Sequence, residues 1–338
     1  MSRRRLAPSL AVLILLAACR SAAPTPPLPP PVAVDAGAPP QAARPPPDAG
    51  VAVVRFVAVG DTGHGNPEQY RVGEAMARLC EARGCDFVAL LGDNFYPSGV
   101  TSVDDPQWET AFVQPYQGVQ APFYAVLGNH DYGGNGSGNE LEKARWQVAY
   151  SLKNPKWRMP ATHYRFSAGP VDFFAADTNR SMYKLDDRVR ADFTAWLAAS
   201  TARWKVVLGH HPLYSNGRHG NAGSYDGVSL VPIANGAGVR TFLEEQVCGR
   251  ADLYLCGHEH ILEWLAATCG REGSSTRTEL IISGGGASPT PLDEKLPNPD
   301  HFHDSALGFL YVVIAGDTLT GTFFGDDGAA RFTRVLQH

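Results

Sequence analysis

Five short polar clusters, each preceded by an apolar run, constrain this chain more than any other feature of its sequence. They are Gly60-Asp61-Thr62-Gly63, Gly92-Asp93-Asn94-Phe95-Tyr96, Gly128-Asn129-His130-Asp131, Gly209-His210-His211-Pro212 and Gly257-His258-Glu259-His260. The apolar runs, such as residues 123–127, predict buried strands. Side chains that follow the carboxyl ends of strands gather at one edge of a sheet. We therefore expect all five clusters to converge on one site.

Seven side chains in these clusters are of types that bind metal ions. They are Asp61, Asp93, Tyr96, Asn129, His210, His258 and His260. The carboxylate of Asp93 can bridge two cations, and imidazoles suit iron or zinc. Two cations about 4 Å apart can share a water molecule, lower its pKa and hold phosphoryl oxygens. Because phosphate esters hydrolyse very slowly without a catalyst, the set predicts a two-metal site for that reaction.

The local spacing gives further expectations for the same clusters. His258 and His260 are two residues apart, so an extended backbone would place both imidazoles on one side, each able to bind a different cation. His130 is expected to contact substrate rather than metal. Asp131 is expected to orient an imidazole from behind. His211 is expected to be structural or solvated.

The spacing of apolar residues also predicts the secondary structure. Helices are expected over 68–83, 140–150, 185–199 and 238–247, and strands over 51–59, 86–91, 163–166, 171–176, 204–208 and 252–256. Further strands near 261–266, 279–283, 309–314 and 318–323 are expected to complete a second sheet.

In their order along the chain, GDTG, GDNFY, GNHD, GHHP and GHEH resemble the signature of the metallophosphoesterases. Tyr96 within GDNFY narrows the resemblance to the purple acid phosphatases, of the small tartrate-resistant type. The segment NFYPSGV and residues 124–132 and 283–287 are similar as well. The resemblance runs from about residue 54 to the last strands. It implies an α+β fold, a four-layer α/β/β/α sandwich of two mixed β-sheets flanked by helices.

The resemblance also implies a role for each candidate residue. Asp61, Tyr96 and His260 would hold Fe(III), Asn129, His210 and His258 would hold a divalent ion (iron, zinc or manganese), and Asp93 would bridge the two. A metal-bound hydroxide would attack the phosphorus of a phosphate monoester. His130 and His219 would stabilise the phosphoryl oxygens and protonate the leaving group. Tyrosinate on ferric iron would give a violet colour.

Two alternatives remain open beside this acid phosphatase. A phosphodiesterase or nucleotide hydrolase could use the same fold, because loops around the pocket decide the substrate. A lipoprotein that binds phosphate or metal without turnover is the second, although every ligand candidate is present. The chain departs from the family pattern at Thr62, where Trp is frequent, and at His64, which is expected to be solvated.

The first 50 residues predict export and lipid anchoring of a catalytic domain over 51–338. Three arginines precede an apolar run that is too short to span a bilayer. Leu16-Ala17-Ala18-Cys19 resembles a bacterial lipobox and implies a signal peptide over 1–18 and a lipid anchor at Cys19, with an ordinary signal peptide as the alternative. The protein would then lie at the cell envelope, on the outer membrane if there are two. Residues 19–50 hold eleven of the 26 prolines and predict a semi-rigid linker.

The net charge limits the possible partners of the protein. The net charge is -5 and no basic block follows the N-terminus, which argues against nucleic-acid binding. We expect a monomer that acts on a phosphorylated small molecule.

In an exported domain Cys80 with Cys85, and Cys248 with Cys269, are the expected disulfides, which leaves Cys256 free. The alternative is that all five are free.

Overall fold

The structure, a computed structural model, describes residues 52–228, 230–231, 233–270, 275–293 and 298–338. The predicted signal peptide, the lipid anchor at Cys19 and the linker lie outside these residues, so they stay predictions, as does the start of the catalytic domain. All described residues belong to one compact unit. None of the helices in these ranges combines the length and the apolarity needed to span a bilayer.

Strands and short helices alternate through the described residues. The strands are β1 (Val53–Val59), β2 (Phe87–Leu91), β3 (Phe123–Val126), β4 (Trp157–Arg158), β5 (Tyr164–Ala168), β6 (Val171–Ala175), β7 (Trp204–Leu208), β8 (Leu253–Cys256), β9 (Leu262–Leu265), β10 (Cys269–Gly270), β11 (Arg277–Ser283), β12 (Asp300–Asp304), β13 (Gly308–Ala315), β14 (Thr318–Gly325) and β15 (Ala330–Gln337). The α-helices are α1 (Pro67–Arg83), α2 (Ala144–Lys153), α3 (Thr178–Met182), α4 (Asp187–Ala199) and α5 (Ala237–Phe242). Single turns of 3-10 helix lie at His130–Tyr132, Gly134–Gly136, Leu141–Lys143 and Tyr225–Gly227, and π-helical turns at Glu109–Val113 and Leu243–Val247.

The strands form two mixed sheets. One has the order β15-β14-β13-β1-β2-β3-β4, and the other has the order β12-β9-β11-β8-β7-β6-β5, with β10 paired to β11. Strands β1 to β4 are parallel in the first sheet, and β6, β7, β8 and β11 are parallel in the second. Antiparallel strands complete both sheets. The predicted fold class, two mixed sheets with helices, is confirmed.

One prediction about the sheets is wrong. Strands β13 and β14 were expected in the second sheet, but β13 runs antiparallel to β1 in the first sheet, with Val57 opposite Tyr311. Strand β14 follows β13 in a hairpin and pairs with it along its whole length. The physical reason is that β2 covers only one edge of the apolar strand β1. Its other edge is closed by β13, which is equally apolar.

Aromatic side chains hold the two sheets together. Phe56 of β1 stacks on Phe87 of β2 with ring centroids 5.0 Å apart, and Phe173 of β6 in the other sheet packs edge-on against both rings. Each of these rings is fully buried or nearly so. Burying a phenyl ring contributes about 1.5–3 kcal/mol. This contact therefore helps to hold the two sheets in place against each other.

Helix α1 shows how the sequence starts and stops an element beside the first cluster. The side chain of Asn66 accepts a hydrogen bond from the Gln69 amide, and Pro67 occupies the first turn, where its missing N–H costs nothing. The helix buries Val72 and Met76 and ends at Arg83, where Gly84 caps it with a φ of 82°.

The predicted disulfides are confirmed. Cys80 is bonded to Cys85 and Cys248 to Cys269. Cys256 is a buried free thiol. Such bridges form in oxidising compartments and are rare in the cytosol of most cells.

Candidate metal centre

The five clusters lie at the carboxyl ends of β1, β2, β3, β7 and β8. Within the first sheet β1, β2 and β3 run parallel to one another, and within the second sheet β7 runs parallel to β8. The sheets meet face to face, so the loops after their strands approach one another. The structure brings the seven predicted ligand side chains together in this way.

Three of the seven side chains gather around the hydroxyl of Tyr96, which is the fourth member of the group. This oxygen lies 3.0 Å from Oδ2 of Asp93, 3.3 Å from Oδ1 of Asp61 and 3.1 Å from Nε2 of His260. Asp61 and Asp93 are buried, while Tyr96 and His260 are partly buried. The four donor atoms are therefore close enough to share one cation.

A second group gathers around the side-chain oxygen of Asn129. This oxygen lies 3.0 Å from Nε2 of His210 and 3.1 Å from Nδ1 of His258. The His210 nitrogen also lies 3.4 Å from Oδ2 of Asp93. The carboxylate of Asp93 thus belongs to both groups, which is the position of a bridging ligand.

Three of the candidate ligands have a left-handed backbone. The φ angle is 58° at Asp61, 52° at Asp93 and 69° at His258, and each residue follows a glycine. This conformation costs a non-glycine residue roughly 1–2 kcal/mol. Such strain persists where the surrounding fold overdetermines it, as at functional sites.

The expected extended backbone at His258 and His260 is therefore wrong. Strand β8 ends at Cys256, and the chain then turns through the left-handed His258. Both imidazoles still reach the centre, but they do so from a turn. The amide of His258 donates to the carboxylate of Asp61, 2.9 Å from Oδ2, which fixes that turn.

Two glycines allow the strands to approach the ligands closely. A Cβ added at Gly128 would lie 2.2 Å from Oδ1 of Asp93, and one at Gly92 would lie 2.5 Å from Nδ1 of His210. Gly92 also has a φ of 89°. No larger residue fits at either position without displacing a ligand.

Backbone carbonyl groups fix the orientation of two imidazoles. Nδ1 of His210 lies 2.9 Å from the carbonyl oxygen of Leu91, and Nδ1 of His260 lies 2.6 Å from that of Ser288. A carbonyl only accepts, so each Nδ1 carries a proton and each Nε2 is the ring nitrogen that faces the centre.

Asp131 does not orient an imidazole, contrary to the prediction. Its buried carboxylate accepts hydrogen bonds from the main-chain amides of Gly128, Asn94 and Phe95. It also accepts from the side-chain amides of Asn94 and Gln147. Asp131 therefore ties the loop after β2 to the loop after β3. Burial raises its pKa to about 6, with a further contribution from Asp93.

The two predicted substrate residues border a cleft that opens onto the centre. Nδ1 of His130 lies 2.7 Å from the carbonyl oxygen of Pro97, and its ring packs 4.3 Å from that of Tyr96. The ring of His219 packs 4.5 Å from that of His258. Both histidines line the cleft, whose volume is about 460 Å³.

Two other histidines lie closer to the centre than expected. His211 is buried and lines the cleft, because Thr178 holds its Nδ1 at 2.9 Å. Its nearest ring nitrogen lies within 4.8 Å of donor atoms of His210 and His258. His64 is exposed, as predicted, but its ring stacks on Tyr96 at 4.0 Å.

A sixth polar cluster, which the sequence analysis missed, follows β6. The hydroxyl of Thr178 receives hydrogen bonds from the amides of His210 and His211. Asn179 and Tyr183, in and just after α3, line the cleft. The available signal was Asp177, a helix-capping residue directly after an apolar run. It differs from the other five clusters because no glycine precedes it.

Burial and charge make the metal-free centre unfavourable. Burial raises the pKa of Asp61 well above its ordinary value. Burial also opposes ionisation of Asp93, but the contact with His210 outweighs it and lowers the pKa of Asp93. The same contact raises the pKa of His210 to about 9, although burial of that imidazole acts in the opposite direction. Burial lowers the pKa of His260 to about 4. Bound cations would take over the role of the His210 proton and release it.

The donor set fits a pair of metal ions. It offers two carboxylates, a phenol and an amide oxygen beside three imidazoles, and the outer contacts of His210 and His260 leave Nε2 of each facing inward. Hard oxygen donors suit a trivalent ion, and imidazoles suit iron or zinc. Asp61, Asp93 and His210 alone bring three donor atoms within 4.8 Å of one another.

Sequence comparisons place the chain among phosphoesterases. Residues 54–262 match the calcineurin-like phosphoesterase family. The chain is 32% identical over 256 residues to Purple acid phosphatase 7 of Arabidopsis thaliana, and the aligned region covers 69% of this chain and 70% of that protein. It is 28% identical over 328 residues to tartrate-resistant acid phosphatase type 5 of Homo sapiens, and this alignment covers 86% of this chain and 92% of the human protein.

Solved structures share the fold. GAP50, the anchor in the inner membrane complex of Plasmodium, matches with a TM-score of 0.66 and 20% identity, over 85% of this chain and 89% of that chain. PhoD matches with a TM-score of 0.57 and 14% identity, over 87% and 71%. At these identities the two structures show the fold alone.

Proposed function

The chain belongs to the calcineurin-like phosphoesterase family and is a metal-dependent phosphatase related to the purple acid phosphatases, and on that premise we propose that it hydrolyses phosphate monoesters of small molecules. The observation that carries the proposal is the double cluster of donor atoms, around Tyr96 and around Asn129, with Asp93 common to both. A two-metal phosphatase needs this arrangement, whereas a structural site would need only one cluster.

We assign the two halves of the centre to different ions. Asp61, Tyr96 and His260 would hold Fe(III), because a phenolate and a carboxylate are hard donors. Asn129, His210 and His258 would hold a divalent ion, iron, zinc or manganese, and Asp93 would belong to both. When bound, such a pair supplies an activated water molecule and neutralises charge on the phosphoryl group.

The cleft histidines would bind the phosphate and move a proton. His130 packs against Tyr96 in the lining of the cleft and would bind a phosphoryl oxygen. His219 would give the proton on its Nε2 to the leaving oxygen while the P–O bond breaks, and the bonding electron pair stays on that oxygen. Water supplies the oxygen that replaces it, so the products are an alcohol or phenol and phosphate.

The size and lining of the cleft support a small-molecule substrate. A volume of about 460 Å³ lies within the range of pockets for single small ligands. Met182, Tyr183 and Ile233 give its rim apolar surface, while Asn135 and Asn179 are polar. This lining suits the leaving group of a compact monoester.

Turnover of an aryl phosphate before and after removal of the metals tests the proposal. We expect activity to vanish with a chelator and to return when iron and zinc are added together. Absence of turnover with two metals bound would favour the binding-protein alternative. Faster hydrolysis of an aryl phosphodiester than of the monoester would favour the phosphodiesterase.

We also propose that the enzyme is a monomer anchored to the cell envelope through lipid on Cys19. The support is the lipobox-like sequence before Cys19, together with two disulfides that suit an exported domain. Substitution of Cys19 by Ser should move the protein from the membrane fraction to the soluble fraction. Unchanged fractionation would leave an ordinary signal peptide as the better explanation.

A further inference from the structure

His219 and Asp226 form a reciprocal pair beside the cleft. Nδ1 of His219 lies 2.8 Å from Oδ1 of Asp226. The main-chain amide of Asp226 donates in return to the carbonyl oxygen of His219, at 2.9 Å. The loop from His219 to Asp226, seven positions later, is therefore closed by two hydrogen bonds. Both side chains line the cleft.

The backbone at Asp226 is arranged for this contact. Its φ is 54°, in the left-handed region, where Asp is tolerated better than most residues. That conformation turns the amide and the carboxylate of Asp226 toward the same histidine. Because a carboxylate accepts, Nδ1 of His219 carries a proton, and Nε2 is the ring nitrogen available to a molecule in the cleft.

A second carboxyl group supports the loop that carries His219. Oε1 of Glu259, which is fully buried, accepts a hydrogen bond from the Gly220 amide at 2.7 Å. A Cβ at Gly217 would lie 2.3 Å from Oε2 of the same residue. The Glu259 side chain therefore fills the space beneath residues 217–220 and holds the loop from below.

The place of Glu259 in the chain connects this loop to the metal centre. It lies between His258 and His260, which belong to different halves of the double cluster. The turn that presents both imidazoles thus also supports the loop of His219. The ring of His219 in turn packs against that of His258. A shift of the turn would move the loop with it.

We propose that Asp226 and Glu259 are positioning residues for His219, of which Asp226 orients the ring and Glu259 fixes the loop. The inference rests on the proposed role of His219 as the proton donor. A carboxylate held at Nδ1 keeps the ring oriented with Nε2 toward the cleft, as in other carboxylate–histidine pairs. Neither carboxylate needs to touch the substrate.

Leaving-group dependence tests the proposal in the metal-loaded enzyme. A nitrophenyl phosphate expels its leaving group without a proton, whereas an alkyl phosphate needs one. We expect Asp226→Ala to lower kcat for the alkyl phosphate about 10- to 100-fold, with a much smaller effect on nitrophenyl phosphate and on either KM. Asp226→Asn retains an acceptor for Nδ1 and should recover part of the loss.

A double variant shows whether Asp226 acts through His219. If it does, Asp226→Ala adds no further loss in a His219→Ala background. An additive loss, or an equal loss on both substrates, would overturn the role of Asp226. The imidazole N–H of His219 gives a readout without turnover: its hydrogen-bonded proton resonance in the zinc-loaded protein should disappear in Asp226→Ala and stay if the pair is incidental.

Glu259 is tested with two substitutions. Glu259→Gln keeps an acceptor for the Gly220 amide and should retain the wild-type preference, whereas Glu259→Ala should repeat the leaving-group pattern of Asp226→Ala. Equal losses on both substrates in Glu259→Ala, or loss of bound metal, would contradict the assignment. The latter would show that the carboxyl supports the ligands rather than the loop.

Two comparisons separate this inference from the proposed function. Asp192→Ala removes another histidine–carboxylate pair, with His163, which has the same 2.8 Å length but lies outside the cleft. It should leave the substrate preference unchanged. If His219→Ala has no leaving-group preference, its proton-donor role fails and this inference fails with it. If His219→Ala has the preference and Asp226→Ala does not, the positioning inference alone fails.

Discussion

The phenolic oxygen of Tyr96 lies 3.0 Å from the carboxylate of Asp93, three residues earlier in the chain. The left-handed backbone at Asp93 folds the chain back and makes this contact possible. Without a metal, burial and the neighbouring carboxylates raise the pKa of Tyr96, so the phenol stays protonated. A trivalent ion between the two groups would reverse that preference.

Tyr96→Phe should remove the visible absorption band of the iron-loaded protein while leaving the fold intact. The substitution deletes one hydroxyl and retains the ring that packs against His64 and His130. The measurement is the visible spectrum, together with circular dichroism. Tyr70→Phe, which alters an exposed hydroxyl on α1, is the matched control and should keep the band. A Tyr96→Phe protein that keeps its colour would show that another residue binds the ferric ion.

Asp131→Ala should destabilise the protein by about 3 kcal/mol or more, because it leaves several buried donors without an acceptor. The amides of Gly128, Asn94 and Phe95 all lose their partner. Denaturant unfolding measures the effect. Asp104→Ala, at a largely exposed carboxylate, should change the free energy of unfolding by no more than about 0.5 kcal/mol. Similar values for the two variants would contradict the role of Asp131 as a tie between two loops.

Glu263 should make the metal-free protein less stable as the pH rises. Burial raises the pKa of its carboxyl from 4.5 to about 7, helped by Asp300 and opposed by hydrogen bonds from Asn216 and Ser215 and by His303. A raised folded-state pKa gives a contribution that is complete below pH 4.5 and is lost as the pH passes through 7. The Tm should therefore fall more between pH 5 and pH 8 in the wild type than in Glu263→Gln. Parallel Tm profiles for the two proteins would refute this linkage.

The two disulfides should differ in how much they contribute to the free energy of unfolding. Cys248–Cys269 closes a span of 21 residues and Cys80–Cys85 one of 5. Loop-closure entropy then predicts a loss of about 3 kcal/mol for the paired serine variant of the longer bridge and about 2 kcal/mol for the shorter. Unfolding in denaturant compares them. A larger loss from the short bridge would mean that native-state packing, not chain entropy, dominates.

Much of the centre can be predicted from sequence because each ligand cluster is short and directly follows an apolar strand. The parallel strands bring Asp61, Asp93 and Asn129 to one edge of the sheet. An apolar run without polar interruptions, such as β2, already indicates a buried strand. The same local reasoning gave the disulfide between Cys80 and Cys85, which lie close together in the sequence.

What sequence reasoning missed depends on distant contacts. The sheet to which β13 belongs is decided by pairing with β1, about 250 residues earlier. The burial of His211 depends on Thr178, and the left-handed turn at His258 is held by the carboxylate of Asp61. Asp226 gave no signal, because its partner His219 meets it only through the closure of a loop.

Anomalous diffraction from crystals of the metal-loaded protein tests the two-metal centre most directly. We predict two peaks on opposite sides of the Asp93 carboxylate. One, with iron at its absorption edge, should lie among Asp61, Tyr96 and His260. The other should lie among Asn129, His210 and His258. A single peak, or peaks bound by other residues, would contradict the account.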